Sequence, residues 1–476
     1  MNKVIIIGGG ITGLSAAYYL QKEFAAQGLF PQLQLIEQAP ACGGKLQTME
    51  KDGFVIEKGP DSFLARKQAI MDLTMELALQ DELVGMNPDA KKTYIVRNGR
   101  LHSFPQGLML GIPTAFLPFI QSNLISFRGK LRAAFDFILP RNMNHQDESL
   151  GLFLQKRFGQ EVLDYLVEPI VAGIYAGNAK ELSLQATFPQ FQTLVRRYRS
   201  LMIGMKQEKS KTAALSQALP QHLRGSVFIS YKKGLTTLTN ALLQALNNVD
   251  IRTQASVTRM YHHDHQVCLE LANGHQEVAD AVIVTVPAHH IASMVEHSVI
   301  SSMLDQIPYV SVANVILAYE KKDITVPLEG AGFVVPRVEH RSITACTWTS
   351  QKWMHTAPQD KVLLRCYVGR SGDEQWMQCS DIELVHRVKQ DIADLMGIHA
   401  TPLFYEITRM PRSMPQYRVG HLDLVTQVRQ QLAIDLPGVW MTGAGFHGVG
   451  IPDCIQQGKE AAQQVVAYFQ HSTKRG

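Results

Sequence analysis

The stretch VIIIGGGITGLSAAYYL, residues 4–20, decides how the rest of the chain is read. Its first four residues, Val4, Ile5, Ile6 and Ile7, are apolar and β-branched, the composition of a central parallel strand covered on both faces. Gly8, Gly10 and Gly13 follow in the spacing G-x-G-x-x-G, and residues 14–24 have helical periodicity. LQLIE at residues 33–37 reads as a second strand, so the N-terminal segment predicts one β-α-β unit whose right-handed crossover lays the strands side by side.

A turn in that context binds dinucleotides for steric and electrostatic reasons. Gly8 permits the tight turn, Gly10 has no side chain to hold off a pyrophosphate, and Gly13 lets helix and strand pack closely. The helix start adds free N–H groups and the positive end of the dipole. Ala17 and Leu20 extend the pattern into the helix. The acid expected on the adenosine ribose is Glu37, placed later than the typical spacing of about 20 because FAAQGLFPQ lengthens the connection. An acid there disfavours a cofactor with a 2′-phosphate, while the fingerprint leaves FAD and NAD open. Gly43, Gly44 and Lys45, then EKGPDSF at residues 57–63, would let backbone approach a ligand continuing beyond the adenosine half; an ordinary loop is the other reading.

Composition bounds the rest. With 476 residues, 46% hydrophobic and 18% charged, the chain can bury a large core in two or three domains. Its 46 basic and 42 acidic residues are interspersed without basic blocks, which argues against a nucleic-acid partner. Six cysteines without C-x-x-C spacing fit a reducing, cytoplasmic setting without disulfides, and no secretory signal precedes Lys3. The longest apolar stretch, residues 108–120, is shorter than the roughly 20 residues of a spanning helix and is interrupted by Pro113 and Pro118.

The fold class expected is α/β: a Rossmann-type nucleotide domain, a mixed or antiparallel-sheet substrate domain, and an inserted helical domain. Residues 1–85, 225–295 and 405–476 are assigned to the first, 86–100 and 296–404 to the second, and 101–205 to the third. Residues 206–224 are polar, weakly patterned and read as a flexible connection. Within 311–367, VANVILAYE, GFVVP, SITACTWTS and VLLRCYVG alternate as antiparallel strands do. HHDH at residues 262–265 has a metal-site composition but falls between two strands and reads as a solvated hairpin turn, so no metal is expected. The apolar residues of FPQGLMLGIPTAFLPF fit either a membrane-facing surface or the mouth of an apolar pocket, and the pocket is favoured.

A second G-x-G-x-x-G, at Gly443, Gly445 and Gly448, opens the helix-like run after MTGAGFHGVGIPDC. Only QHSTKRG follows that helix, leaving no room for the strand and acid a second nucleotide site needs. The two glycine-rich ends are therefore expected to grip the two ends of one cofactor, the second placing a helix start where negative charge accumulates on reduction.

IIIGGGITGLSAAYYL, GGKLQT, GPDSFLARK, EPIVAGIYAG, SVANV, ITACTWTS, MPQY and GVGIPDCIQQGK together resemble the HemY-type porphyrinogen oxidases, FAD flavoproteins of haem biosynthesis, across essentially the whole chain. The nearest likeness is to the soluble coproporphyrinogen III oxidase type of Gram-positive bacteria. The resemblance implies a p-hydroxybenzoate-hydroxylase-like FAD domain and a six-electron oxidation of coproporphyrinogen III to coproporphyrin III, with molecular oxygen as acceptor and hydrogen peroxide as product. It implies FAD contacts at Gly8, Gly9, Gly10, Ile11, Thr12, Gly13, Glu37, Gln38, Gly44, Lys45, Gly59, Pro60, Asp61, Ser62, Val257, Gly443, Val449, Gly450 and Ile451. Met410 stands where the family commonly has a tryptophan beside the flavin.

Hydride loss from a tetrapyrrole meso carbon to the flavin needs little protein acid–base chemistry, so no catalytic triad is expected. Propionates need cations. Lys67 and Arg66 lead, Lys67 matching a lysine of the soluble type; Arg412 and Arg197 follow, with Arg197 better read as a surface charge. Rival readings are a protoporphyrinogen IX oxidase, an amine-oxidase-like flavoenzyme and a non-catalytic binding protein resembling GDP-dissociation inhibitors. Hand-over of product to a ferrochelatase and a membrane association that is at most peripheral complete the expected partners.

Overall fold

The computed structural model describes residues 2–141, 146–215, 220–296 and 298–473. A five-stranded parallel sheet holds the N-terminal β-α-β unit: β1 (Lys3–Ile7), α1 (Ile11–Ala26) and β2 (Gln32–Ile36), joined by β3 (Val249–Arg252), β4 (Ala281–Val284) and β5 (Val439–Met441) in the order β3-β2-β1-β4-β5. Alternation along β1 explains its apolar run. Val4 and Ile6 enter one core with Leu14, Ala17 and Leu20 of α1, whereas Ile5 and Ile7 enter another with Val257, Leu269 and Val282. Each such side chain contributes about 1.5–3 kcal/mol on burial. Gln34 is fully buried in β2, where its Nε2 donates to Asp250 Oδ2 at 2.9 Å while its Oε1 has no hydrogen-bond partner.

The C-terminal helix α3 (Ile451–Thr473) crosses α1, and α2 (His421–Asp435) flanks β5. A Cβ on Gly458 of α3 would stand 2.5 Å from Thr12 O and 3.0 Å from Ala16 N, so only glycine permits this close crossing. The ends of both helices are joined by the edge-to-face pair Phe24 and Phe469, 5.7 Å apart.

A second sheet has seven strands in the order Phe404–Pro415, Tyr309–Glu320, Lys361–Val368, Ile343–Trp348, Gly332–Val334, Thr93–Arg97, Arg100–Ser103. It bears out one expectation and corrects another. The sheet is mixed: the strands within 311–367 pair antiparallel, and Gly332–Val334 pairs in parallel with Thr93–Arg97. Residues 404–415 belong to it, paired with Tyr309–Ala318, so the assignment of everything from 405 onward to the nucleotide unit cuts through a strand. Pro411 and Pro415 hide that strand in the sequence. Pro411 lies in a bulge between the pairs Val310↔Met414 and Val312↔Met410, where Arg412 takes φ 43. One face of this sheet packs Val315, Leu317 and Leu364 on Leu384, Val388 and Ile392 of the helix Asp381–Met396.

A helical region spans Phe116–Gln121 through Leu201–Leu215. Residues 206–215, expected as flexible connection, continue that last helix; residues 216–219 lie outside the described residues. LMIGMKQEKSKTAAL is rich in good helix formers but lacks a sided apolar pattern, so periodicity missed it. Ahead of Pro169, which lacks an N–H, the helix widens into a π-turn at Leu163–Val167. Asp136, fully buried, accepts from Arg157 Nη1 at 2.8 Å, Ser200 Oγ at 2.7 Å and the Met202 amide at 3.0 Å, tying three segments together. The apolar stretch divides: the hairpin of Leu108–Met109 and Ile112–Pro113 packs into the helical core, but Phe116, Leu117 and Ile120 face outward.

Candidate functional site

The two glycine-rich segments meet. Position 443, φ 117, lies against Thr12, with an added Cβ 3.6 Å from its hydroxyl. The turn itself divides by role. A Cβ on Gly13 would collide with the Gly8 carbonyl, and one on Gly9 would stand 2.6 Å from Cys42 Sγ, whereas Gly10 faces open space within 4 Å. Gly8 and Gly13 thus shape the turn, and Gly10 leaves the cradle clear. Gly10 caps α1 without any side-chain bond, and no acid occupies the helix's first turn. These are the conditions under which a helix start receives an anion.

Glu37 follows directly from β2. Its carboxylate accepts from the Gly9 amide at 2.6 Å and the Ala39 amide at 2.7 Å, which fixes it beside the turn with lone pairs remaining for a sugar hydroxyl. Val257 begins the strand Val257–His263 in the core beneath this point, and the Ala255 amide donates to Glu37 O at 3.0 Å. Gln38 continues the same loop.

Two loops and the seven-stranded sheet come together beside this turn. Gly44 has φ 59 and lies on Gly10 with no room for more than contact, 3.1 Å from an added Cβ to Gly10 Cα. Lys45, whose pKa burial lowers, donates to the Ser413 carbonyl. Gly59 is pressed on the Lys45 carbonyl and is held from the sheet by Asn314 Nδ2, 3.3 Å from Gly59 O and 2.8 Å from Lys58 O, and by Arg365 Nη2. After Pro60, Asp61 accepts from Ser62 Oγ at 2.6 Å, Lys352 Nζ at 3.1 Å and Trp353 Nε1 at 3.3 Å. Although desolvation opposes it, the cations Lys352 and Arg365 hold this carboxyl well below the usual range. Met410 pairs with Val312 in the neighbouring strand.

At the far end, Gln457 of α3 organises the second glycine loop. Its Oε1 accepts from the Gly443 amide at 3.1 Å, and its Nε2 donates to the carbonyls of His447 and, at 3.3 Å, Gly448. Val449 packs on the helical core, and Gly450 and Ile451 lead into α3, where the Cys454 amide closes on Gly450 O at 2.9 Å.

The candidate cations separate. Lys67 Nζ lies 2.6 Å from Asp453 Oδ1 in the first turn of α3. Close by, Tyr175 forms edge-to-face contacts with Phe188 and Tyr417 at 6.3 and 5.9 Å, and burial together with Asp453 raises its pKa. Arg66 is exposed beside Lys67. Arg412 reaches the electrostatic neighbourhood of His289, whose pKa falls to about 4 through burial, His290 and Arg412. Arg197 is exposed and stacks on Tyr198. His263 ends its strand and Asp264 and His265, both at positive φ, form the two-residue turn before Gln266; among the described residues no His, Cys, Asp and Glu cluster fits a metal. Asp453, Asn314, Arg365, Lys352 and Gln457 escaped sequence reasoning because their partners are remote in the chain.

Comparison with known proteins places these features in context. The pattern of the family described as flavin containing amine oxidoreductase matches residues 11–466. The chain is 44% identical over 466 residues to coproporphyrinogen III oxidase of Bacillus subtilis (strain 168), covering 98% of both chains. It is 39% identical over 469 residues to coproporphyrinogen III oxidase of Staphylococcus aureus, covering 98% of this chain and 99% of that protein. A crystal structure from Exiguobacterium sp. 255-15, assigned to protoporphyrinogen oxidase, superposes with TM-score 0.87 at 34% identity over 98% of each chain.

Proposed function

Because this chain belongs to the flavin-containing amine oxidoreductase family, we infer that it uses FAD to oxidise a porphyrinogen, coproporphyrinogen III, to coproporphyrin III in haem biosynthesis. The observation that carries the substrate is the full-length likeness to coproporphyrinogen III oxidases at 44% and 39% identity. When bound, FAD would supply the hydride acceptor, with molecular oxygen as the final oxidant and hydrogen peroxide as the product.

What the chain's residues do in this reading follows from their positions. The uncapped start of α1 and the clear space at Gly10 receive the pyrophosphate, and Glu37 takes the ribose. Gly59 and the Lys45 loop, braced by Asn314 and Arg365, hold the ring system against the seven-stranded sheet. The start of α3, fixed by Gln457, offers its positive end to the cofactor's far side. Tyr175 and Phe188 offer an aromatic wall for a tetrapyrrole, and Lys67 a cation for one propionate, with Arg66 and Arg412 as further candidates. Arg197 is set aside as a surface charge.

The test is oxygen-dependent porphyrin formation by purified yellow protein given coproporphyrinogen III or protoporphyrinogen IX. Preference for the former supports the reading; comparable turnover of both removes the substrate choice, and a colourless protein removes the whole reading.

A peripheral membrane association is the second part of this reading. No helix of the described residues is long and apolar enough to cross a membrane. Yet Phe116, Leu117, Phe127, Leu131 and Ile138 are exposed, Phe127 at 79%, beside Arg128 and Lys130. Co-sedimentation with anionic vesicles, lost in Phe127→Asp, tests it. Direct hand-over of the reactive product to a ferrochelatase is the remaining proposed partnership, tested by pull-down of the two purified proteins.

A further inference from the structure

A cavity of about 450 Å³ opens at the outer edge of the parallel sheet, between β5, α2 and α3. Its size is that of a small-molecule site, for which about 300–1,000 Å³ is usual. The floor is apolar and buried, made by Leu432, Val439, Met441 and Ala461. The rim is different. Arg429 of α2 and Glu460 of α3 both line it, one cation and one anion carried on separate helices, and both are exposed.

Neither charge is matched to the other by contact. Arg429 Nη1 lies 3.4 Å from His447 Nε2, an imidazole whose pKa is lowered by burial and by Arg429, and Glu460 acts on both groups through space without a hydrogen bond to either. Glu460 Oε1 accepts from Gln456 Nε2 at 2.8 Å. An apolar pit with a cation and an anion spaced along its rim is complementary to a small molecule that has an apolar body and adjacent carboxylate and ammonium groups.

We propose that this cavity is a second ligand site, separate from the FAD groove, that binds an apolar α-amino acid and acts on the second glycine loop through Gln457. The side chain enters the pit, the carboxylate meets Arg429 and the ammonium meets Glu460. Gln457 lines the same cavity and also holds His447 O, Gly448 O and the Gly443 amide, so occupancy bears on the loop assigned to the cofactor's far end. That coupling rests on the FAD reading; the binding does not.

The experiment titrates 4-fluoro-L-phenylalanine into the full-length flavoprotein, following ¹⁹F line width and the flavin absorption band together. Saturable broadening with a shifted flavin band is expected. Arg429→Gln and Glu460→Gln should each weaken binding about tenfold, or about 1.4 kcal/mol. Ala433→Trp, at an exposed lining position that tolerates a large side chain, should abolish binding with FAD content unchanged. Absence of saturable broadening, binding that survives Ala433→Trp, or displacement by coproporphyrin overturns the site, and binding with an unmoved flavin band overturns the coupling. Failure of the FAD reading shows separately, as protein that purifies without flavin.

Discussion

Lys67 Nζ and Asp453 Oδ1 lie 2.6 Å apart, joining the segment after GPDSFLAR to the first turn of the C-terminal helix. Side-chain exposures of 42% and 33% leave this pair largely in solvent, so it contributes under about 1 kcal/mol to folding. On the function proposed above, its weight falls on binding. Lys67→Ala is expected to lower kcat/KM for coproporphyrinogen III by about 10- to 100-fold, the loss of a charge-assisted contact of about 1.5–3 kcal/mol, with FAD content and melting temperature retained. Steady-state kinetics beside a thermal melt checks this, and unchanged kinetics would remove Lys67 from the substrate site.

Two glycines in the N-terminal turn should respond in opposite ways to the same substitution. Gly10→Ala places a methyl in open space, so the protein should fold but bind FAD weakly. Gly13→Ala drives a methyl into the Gly8 carbonyl and should disrupt the turn itself. Flavin-to-protein ratio and melting of the flavin-stripped proteins separate the two, and equal melting of both variants would sink the distinction.

Buried and exposed ion pairs should differ equally plainly. Asp136→Ala leaves Arg157 buried without its carboxylate and is expected to cost about 3–5 kcal/mol, read as a lower urea midpoint. Asp453→Ala should cost under about 1 kcal/mol by the same measurement.

Glu57 gives a pH dependence of fixed sign. Burial raises its pKa from 4.5 to about 7, against the opposing Leu235 amide, Arg365 and Thr48. Between those values the folded protein holds a proton that the unfolded chain has released, so stability falls as pH rises through this window. The change is roughly 3 kcal/mol at most, at 1.36 kcal/mol per unit. Urea midpoints from pH 4.5 to 8 should show this slope, flattened in Glu57→Gln; an identical slope in the variant would refute the assignment.

The nucleotide end was legible because its signals are local: a β-branched run, three glycines, a helix period and a terminal acid lie within one β-α-β unit. Residues 404–415 were not, because Pro411 and the bulge at Arg412 break the alternation by which a strand is recognised. Residues 206–215 escaped because a helix without an apolar side has no period to detect. Likewise Asp453 has no meaning until Lys67 is brought to it, nor Asn314 until Gly59 is, and no local pattern encodes those meetings.

The crossing of α1 and α3 at Gly458 also makes two segments far apart in the sequence depend on one another. The N-terminal turn packs against the helix Ile451–Thr473, with Gly443 set against Thr12 across that junction. On the function proposed above, a variant cut before residue 443 should still form its first β-α-β unit yet fail to retain FAD.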